Sequence, residues 1–238
     1  MISYSLIGYA FMGGLLPACV WLYFLLKEDE RCPEPRPLIL IAFLSGALAV
    51  AFALPFEHLS KVLLQSDLAV IVTWATIEEV LKYALVSLTV LWRRAVDESV
   101  DLVIYMITAA LGFAALENVL FFFQALTTVG LWGSEGAIAT GNLRFVGSTL
   151  LHIIASAAIG FALAYGFRAH RAVRALYAVA GLILAIALHA AFNFLIISGD
   201  GSHTLFAFFV VWIGAVIFFA AFEVLKYFRY RNLPRNTC

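Results

Sequence analysis

Apolar residues fall into seven long blocks separated by short polar connectors, at roughly 3–26, 38–56, 68–92, 100–126, 143–167, 174–198 and 203–226. Each block is close to or above the about 20 mostly apolar residues that a helix needs to cross a bilayer core. The pattern predicts an all-α fold: a polytopic membrane helical bundle of about seven transmembrane helices. The connectors hold no soluble module and no strong internal repeat is visible, so residues 1–238 read as a single integral-membrane domain. The first block lacks the basic start of a signal peptide and is expected to be a retained span.

Composition sharpens this. The chain is 64% hydrophobic and 13% charged, with a mean hydropathy of +0.99, where soluble domains are about half apolar and about a quarter charged. A water-soluble surface cannot be assembled from it, so the lipid bilayer is the expected surroundings. Formal charge is zero and there is no long basic run, which argues against nucleic acid as a partner. Cys19, Cys32 and Cys238 have no metal-ligand spacing and read as free thiols.

Charge does set a direction. Lys27, Arg31, Arg36, Arg93, Arg94, Arg168, Arg171, Arg174, Lys226, Arg229, Arg231 and Arg235 fall on one side of the seven-span pattern, and only Lys61 and Arg144 on the other. Basic residues accumulate on the cytoplasmic side, so the N-terminus is expected outside and the C-terminus in the cytoplasm.

Against this apolar background stand six ionisable residues within spans: Glu78, Glu79 and Lys82 in the third, Glu117 in the fourth, His152 in the fifth and His189 in the sixth. Such residues are expensive in hydrocarbon and face the bundle interior or a wet cavity. Glu78, Glu117, His152 and His189 each lie 9 or 10 residues from the outer end of their predicted span. At 1.5 Å per residue that is roughly 14 Å below the outer surface. The spans alternate in direction, so equal depth is not a trivial result of position, and the four read as one site.

The faces agree. Ser148, His152, Ser156 and Gly160 form one stripe of small or polar groups, and Gly181, Ala185, His189 and Asn193 another; such stripes let membrane helices approach closely. Glu78 and Lys82 are four apart and predict an ion pair, leaving Glu79, turned by about 100°, in a supporting role. Asn193 is expected to orient His189 or a bound group.

Imidazoles and carboxylates at one level suit a divalent metal, zinc by ligand type, with one position open for water. On this reading Glu117, His152 and His189 are ligands, while Glu78, Glu79, Lys82 and Asn193 are catalytic, with Glu78 as the base that activates water. Metal-free hydrolysis by a glutamate base, with histidine and asparagine holding the oxyanion, uses the same residues. A proton- or ion-coupled transporter and a non-catalytic scaffold are the rival classes, and the lack of a repeated half weighs against transport.

The motifs in order are "IEEVLKY" (E-E-x-x-K), "GFAALENVLFF" (F-x-x-x-E-N, with Phe113, Glu117 and Asn118), "LHIIASAAIG" and "LHAAFNFL" (H-x-x-x-N), preceded by the connector "KEDERCPEP". In order and spacing the chain resembles the PrsW family of intramembrane proteases, related to the CAAX prenyl-protease group. The resemblance implies a polytopic helical protease of the prokaryotic cytoplasmic membrane. Its substrate would be a membrane-anchored protein, such as an anti-sigma factor, cut near the outer face, with Glu78, Glu79, Glu117, His152 and His189 as the motif residues. One departure is "DLVIYM": Leu102 follows Asp101 where the family often has glycine.

Overall fold

A computed structural model describes residues 4–30, 32–129, 147–197 and 203–231. Among these every regular element is a helix: α1 (Tyr4–Glu28), α2 (Arg36–Leu63), α3 (Asp67–Val86), α4 (Ser99–Val129), α5 (Thr149–Tyr165), α6 (Arg171–Ile197) and α7 (Thr204–Tyr230). Five of them, α1, α2, α4, α6 and α7, are long and apolar enough to cross a membrane. The other two are those that carry most of the site: α3 is interrupted by charge, and α5 is 17 residues long.

Local sequence explains the boundaries. Pro33 and Pro35 stiffen the α1–α2 connector, Pro35 caps α2, and Pro37 stands in its first turn, where a missing N–H costs nothing. Ser66 caps α3, its side chain accepting from the Ala69 N–H. Asp101 resolves the departure noted above. Its Oδ2 accepts the backbone N–H groups of Asp97 and Glu98 at 2.9 and 2.8 Å, so it caps the start of α4, while Leu102 is fully buried in the core. Beyond Val86 the α3 backbone widens into a π-turn, Ser87–Leu91, where Thr89 shares a 2.8 Å hydrogen bond with Ser45 of α2.

One expected boundary moves. The second apolar block ends at 56, yet α2 continues through Pro55 to Leu63. The extra turns are held by the indole of Trp74 on α3, which donates to the Glu57 carbonyl and to Ser60 Oγ at 3.2 and 2.9 Å. The cysteine expectation also fails in part: Cys19 is free but Cys32 is disulfide-bonded, since pairing follows distance in the fold rather than sequence spacing.

α4 is the axis of the bundle. Residues 100–115 are all buried, as expected of a helix that is apolar on every side. α1, α2, α5 and parts of α3 and α7 surround it, and α6 closes against α5 and α3. Between helices in lipid, close backbone packing does much of the work that the hydrophobic effect does in water. The α2–α4 crossing shows it: a Cβ on Gly46 would lie 1.7 Å from the Ala109 carbonyl oxygen, and one on Gly112 would lie 1.8 Å from that of Phe43. Neither position can carry a side chain without separating the two helices.

Candidate active site

α3, α4, α5 and α6 each deliver polar groups to one place beneath the α2–α3 turn. Glu78, Glu79 and Lys82 come from α3, Glu117 from α4, His152 and Ser156 from α5, and His189 from α6. All are buried except Glu117, whose side chain keeps 21% of its surface exposed. The His152 and His189 rings meet edge to face, with centroids 5.1 Å apart. The four helices converge because small residues at their crossings permit it: a Cβ on Gly160 would touch the α4 backbone at Val103, and Gly181 lies equally close to α5 at Ile159.

Glu79 is the hub. Its Oε1 accepts from Lys82 Nζ at 2.6 Å and from His189 Nδ1 at 2.8 Å, and its Oε2 accepts from Ser156 Oγ at 3.4 Å. The ion pair predicted between Glu78 and Lys82 is therefore made by Glu79 instead, three residues from Lys82 rather than four. The ammonium completes its shell with His152 Nδ1 at 3.0 Å and the face of Phe113, 4.3 Å from its centroid. Those partners all lie on the Glu79 side.

These contacts fix both imidazoles. A carboxylate only accepts, so His189 Nδ1 carries the proton and its Nε2 presents a lone pair. That Nε2 points at Glu78 Oε2, 3.8 Å away. An ammonium only donates, so His152 Nδ1 accepts from Lys82, and its Nε2–H donates to Glu117 Oε2 at 3.0 Å. Glu78 Oε2 is buried and has no hydrogen-bond partner among the described residues. Leaving such a group unmatched is costly, and four carboxylates or imidazoles around one buried orphan oxygen are suited to receiving a cation.

Glu78, His152 and His189 offer ligand atoms that all lie within 4.8 Å of one another. This set fits a divalent metal. Glu78 Oε2 and His189 Nε2 are free as they stand, and Glu79 holds His189 from behind in the carboxylate–histidine arrangement typical of metal sites. His152 would join through Nε2 in its other tautomer, with the Glu117 hydrogen bond broken, the proton on Nδ1 and the Lys82 ammonium turned off that nitrogen.

The remaining expected residues are less tightly tied. Asn193 lies one turn beyond His189 on α6, half-buried, and among the described residues its side chain forms no hydrogen bond. Asn118 donates to Thr149 Oγ1 at 3.1 Å, bracing α4 on α5. Arg144 lies outside the described residues. Glu57 of α2 was not singled out from sequence, yet it interacts electrostatically with Glu78, Glu117 and Lys82. The stretch "PFEHLSK" reads as a connector behind a proline; the polar spacing Glu57–Ser60–Lys61, three and four apart, was the signal that a helix continued.

The chain is similar to known proteins. The model of the PrsW family intramembrane metalloproteases matches residues 34–222. A protein named Protease PrsW from Clostridioides difficile (strain 630) is 25% identical over 197 residues, 78% of either chain. Another of that name from Geobacillus kaustophilus (strain HTA426) is 30% identical over 195 residues, 79% of either chain. No solved structure matches the chain. The matched region contains α2 to α6 entire and most of α7, with every residue of the polar cluster inside it, and the chain belongs to the PrsW family of intramembrane metalloproteases.

Proposed function

We propose that the protein hydrolyses a peptide bond of a membrane-anchored protein, such as an anti-sigma factor, at the Glu78–Glu117–His152–His189 cluster with a bound zinc ion. The chain is a multi-pass membrane peptidase by family; the site residues, the metal and the substrate are our reading. We place the whole chain in the cytoplasmic membrane as one integral-membrane domain. Its N-terminus is outside, its C-terminus in the cytoplasm, and the α2–α3 turn at the outer face.

The observation that carries the reading is the orphan Glu78 Oε2 beside a lone-pair nitrogen of His189. It supports a division of labour different from the one expected from sequence. Glu78, His152 and His189 would hold zinc, which when bound supplies a Lewis acid and an acidified water. Glu117, the one carboxylate of the four motif groups with open surface, takes the proton from the attacking water and returns it to the leaving amine. Glu79 and Lys82 keep His189 in its Nδ1–H form and hold both rings in place. Asn193 offers an uncommitted amide N–H₂ on the His189 face, placed to donate to the oxyanion.

The substrate must enter between helices and open locally, because a regular helix hides its carbonyls in hydrogen bonds. Glu117 on the exposed side of the cluster marks where water reaches the bond.

The test is zinc content by elemental analysis, with cleavage of a reconstituted substrate, for wild type, Glu78→Gln, His189→Ala and Glu117→Gln. The expected result is about one zinc per chain in wild type and Glu117→Gln, loss of zinc in the other two, and loss of cleavage in all three variants. Full cleavage by a wild-type protein free of metal would sink the zinc assignment. Retained zinc in Glu78→Gln together with loss in Glu117→Gln would restore the opposite division.

A further inference from the structure

Glu57 sits at the α2–α3 end of the site and has no task in the chemistry above. Among the described residues its carboxylate forms no hydrogen bond or ion pair, although its backbone is fixed: the Glu57 carbonyl accepts from the Trp74 indole and from Ser60 Oγ at 3.2 and 2.8 Å. Two residues after Pro55, the turn that presents it is clamped to α3 rather than left to follow the proline. The side chain is half-buried and shares electrostatic interactions with Glu117, Lys82 and Glu78.

Charge at this place is lopsided. The one described ammonium of the cluster, Lys82, is committed to Glu79, His152 and Phe113 on the far side of the two histidines. Glu57 adds a second carboxylate that interacts with Glu117, and among the described residues Glu57 itself forms no ion pair. A half-buried carboxylate repelled by another favours a cation that arrives at it.

We propose that Glu57 is a specificity-determining residue of the proteolytic site, a carboxylate that receives a lysine or arginine side chain of the substrate near the scissile bond. The inference rests on the reading of the site given above. Helix geometry sets the spacing. Glu57 is 6 residues from the end of α2 and Glu78 is 11 residues from the start of α3. At 1.5 Å per residue Glu57 lies about 7 Å closer to the α2–α3 end. An extended peptide advances about 3.3 Å per residue. The basic side chain therefore belongs about two residues from the cut, on the side toward the α2–α3 end. That side chain is long enough to reach Glu57 while the backbone lies over the histidines.

The experiment presents full-length protein in proteoliposomes with a mixed library of single-span membrane peptides and reads every cut by mass spectrometry. Wild type, Glu57→Gln and Glu57→Lys are compared, with Glu78→Gln as the blank and zinc content as an independent readout. Lysine and arginine should be enriched about tenfold two to three residues from the cut in wild type, as a charge-assisted contact gives. The enrichment should vanish in Glu57→Gln and turn toward aspartate and glutamate in Glu57→Lys, with zinc retained. Inversion of a sequence preference cannot come from a general loss of structure, and the isosteric Glu57→Gln stands if Glu57→Lys does not fold. Cutting by wild type with no basic enrichment, the same profile in Glu57→Gln, or loss of zinc in Glu57→Gln would each overturn the proposal and leave the reading of the site intact. No cutting above the Glu78→Gln blank would overturn that reading and the proposal with it.

Discussion

The charged groups between α3, α4, α5 and α6 and those gathered where α1, α2, α4 and α7 come together at the opposite end are the same residue types, wired differently. At the opposite end each contact is local to a connector or a helix terminus. Tyr105 donates to Glu34, Asp101 caps α4, Arg229 Nη2 meets Glu98 at 2.6 Å, and Lys226 meets Glu28 at 2.7 Å. Most of these side chains keep contact with solvent. In the site the groups sit mid-helix, four helices contribute, one ammonium serves a carboxylate and an imidazole, and one carboxylate oxygen is left with nothing. Charge near the ends fastens connectors to helices. On the function proposed, charge in the middle is kept because a reaction uses it.

The contrast predicts where function and stability separate. Glu78 has no partner to lose at Oε2, so Glu78→Gln should leave thermal unfolding in detergent nearly unchanged while lowering cleavage by about three orders of magnitude or more, the scale of losing a catalytic group or its metal. A collapse of the fold in this variant would put Glu78 with the architectural charges instead.

Lys82→Met should do the reverse in stability. It leaves the Glu79 carboxylate fully buried with only His189 and Ser156 as donors, and breaking a buried pair from one side costs about 3–5 kcal/mol. The double variant Glu79→Gln with Lys82→Met should recover much of that loss, because no charge is stranded. Unfolding midpoints in one detergent, compared as a double-mutant cycle, measure it. Additive losses would mean that the two residues do not act as a pair.

At the opposite end the same kind of deletion should be mild. Lys226 is 12% exposed, but its partners Glu28 and Glu223 keep 45% and 64% of their side-chain surface in solvent. Exposed partners of this kind contribute about 0–1 kcal/mol, so Lys226→Met should lower stability by less than about 1 kcal/mol and leave cleavage intact. A loss as large as that of Lys82→Met would erase the distinction between the two ends.

How far the sequence shows this distinction depends on scale. Seven apolar blocks and the six ionisable residues within them are visible because hydrocarbon excludes charge so strongly that each exception stands out. That Glu78, Glu117, His152 and His189 meet is legible from equal depth. Which glutamate takes Lys82 is not, because residues three and four apart share a helix face, and the choice rests on His152 and Phe113 drawing the ammonium toward Glu79. The run of α2 past Pro55, and Glu57 with it, is hidden for a similar reason: it depends on Trp74, a residue of another helix. The central place of α4 is half legible, since a helix apolar on all sides must be enclosed, but the seating of Gly46 and Gly112 against α4 and α2 carbonyls is a matter of approach distance alone.

The smallest expected effect lies in the α1–α2 connector. Glu34 is drawn away from water against Tyr105 and Asp101, and burial, with the Asp101 and Asp29 carboxylates nearby, pushes its carboxyl up to about 9 even though the Tyr105 hydrogen bond works the other way. The folded protein thus holds the proton that the unfolded chain releases near the ordinary 4.5. Stability falls with pH wherever the folded state binds more protons. The contribution of this group is full below about 4.5, declines as pH rises, and is gone above about 9. In Glu34→Gln the amide cannot titrate, so the fall in unfolding midpoint between pH 5 and 9 should be shallower than in wild type, while the pH profile of cleavage, set at the other end of the bundle, should not move. Parallel midpoint curves would show that Glu34 is ionised in the folded protein. A shifted cleavage profile would show that the two ends communicate, and the separation drawn between fastening charge and reacting charge would then fail at its far end.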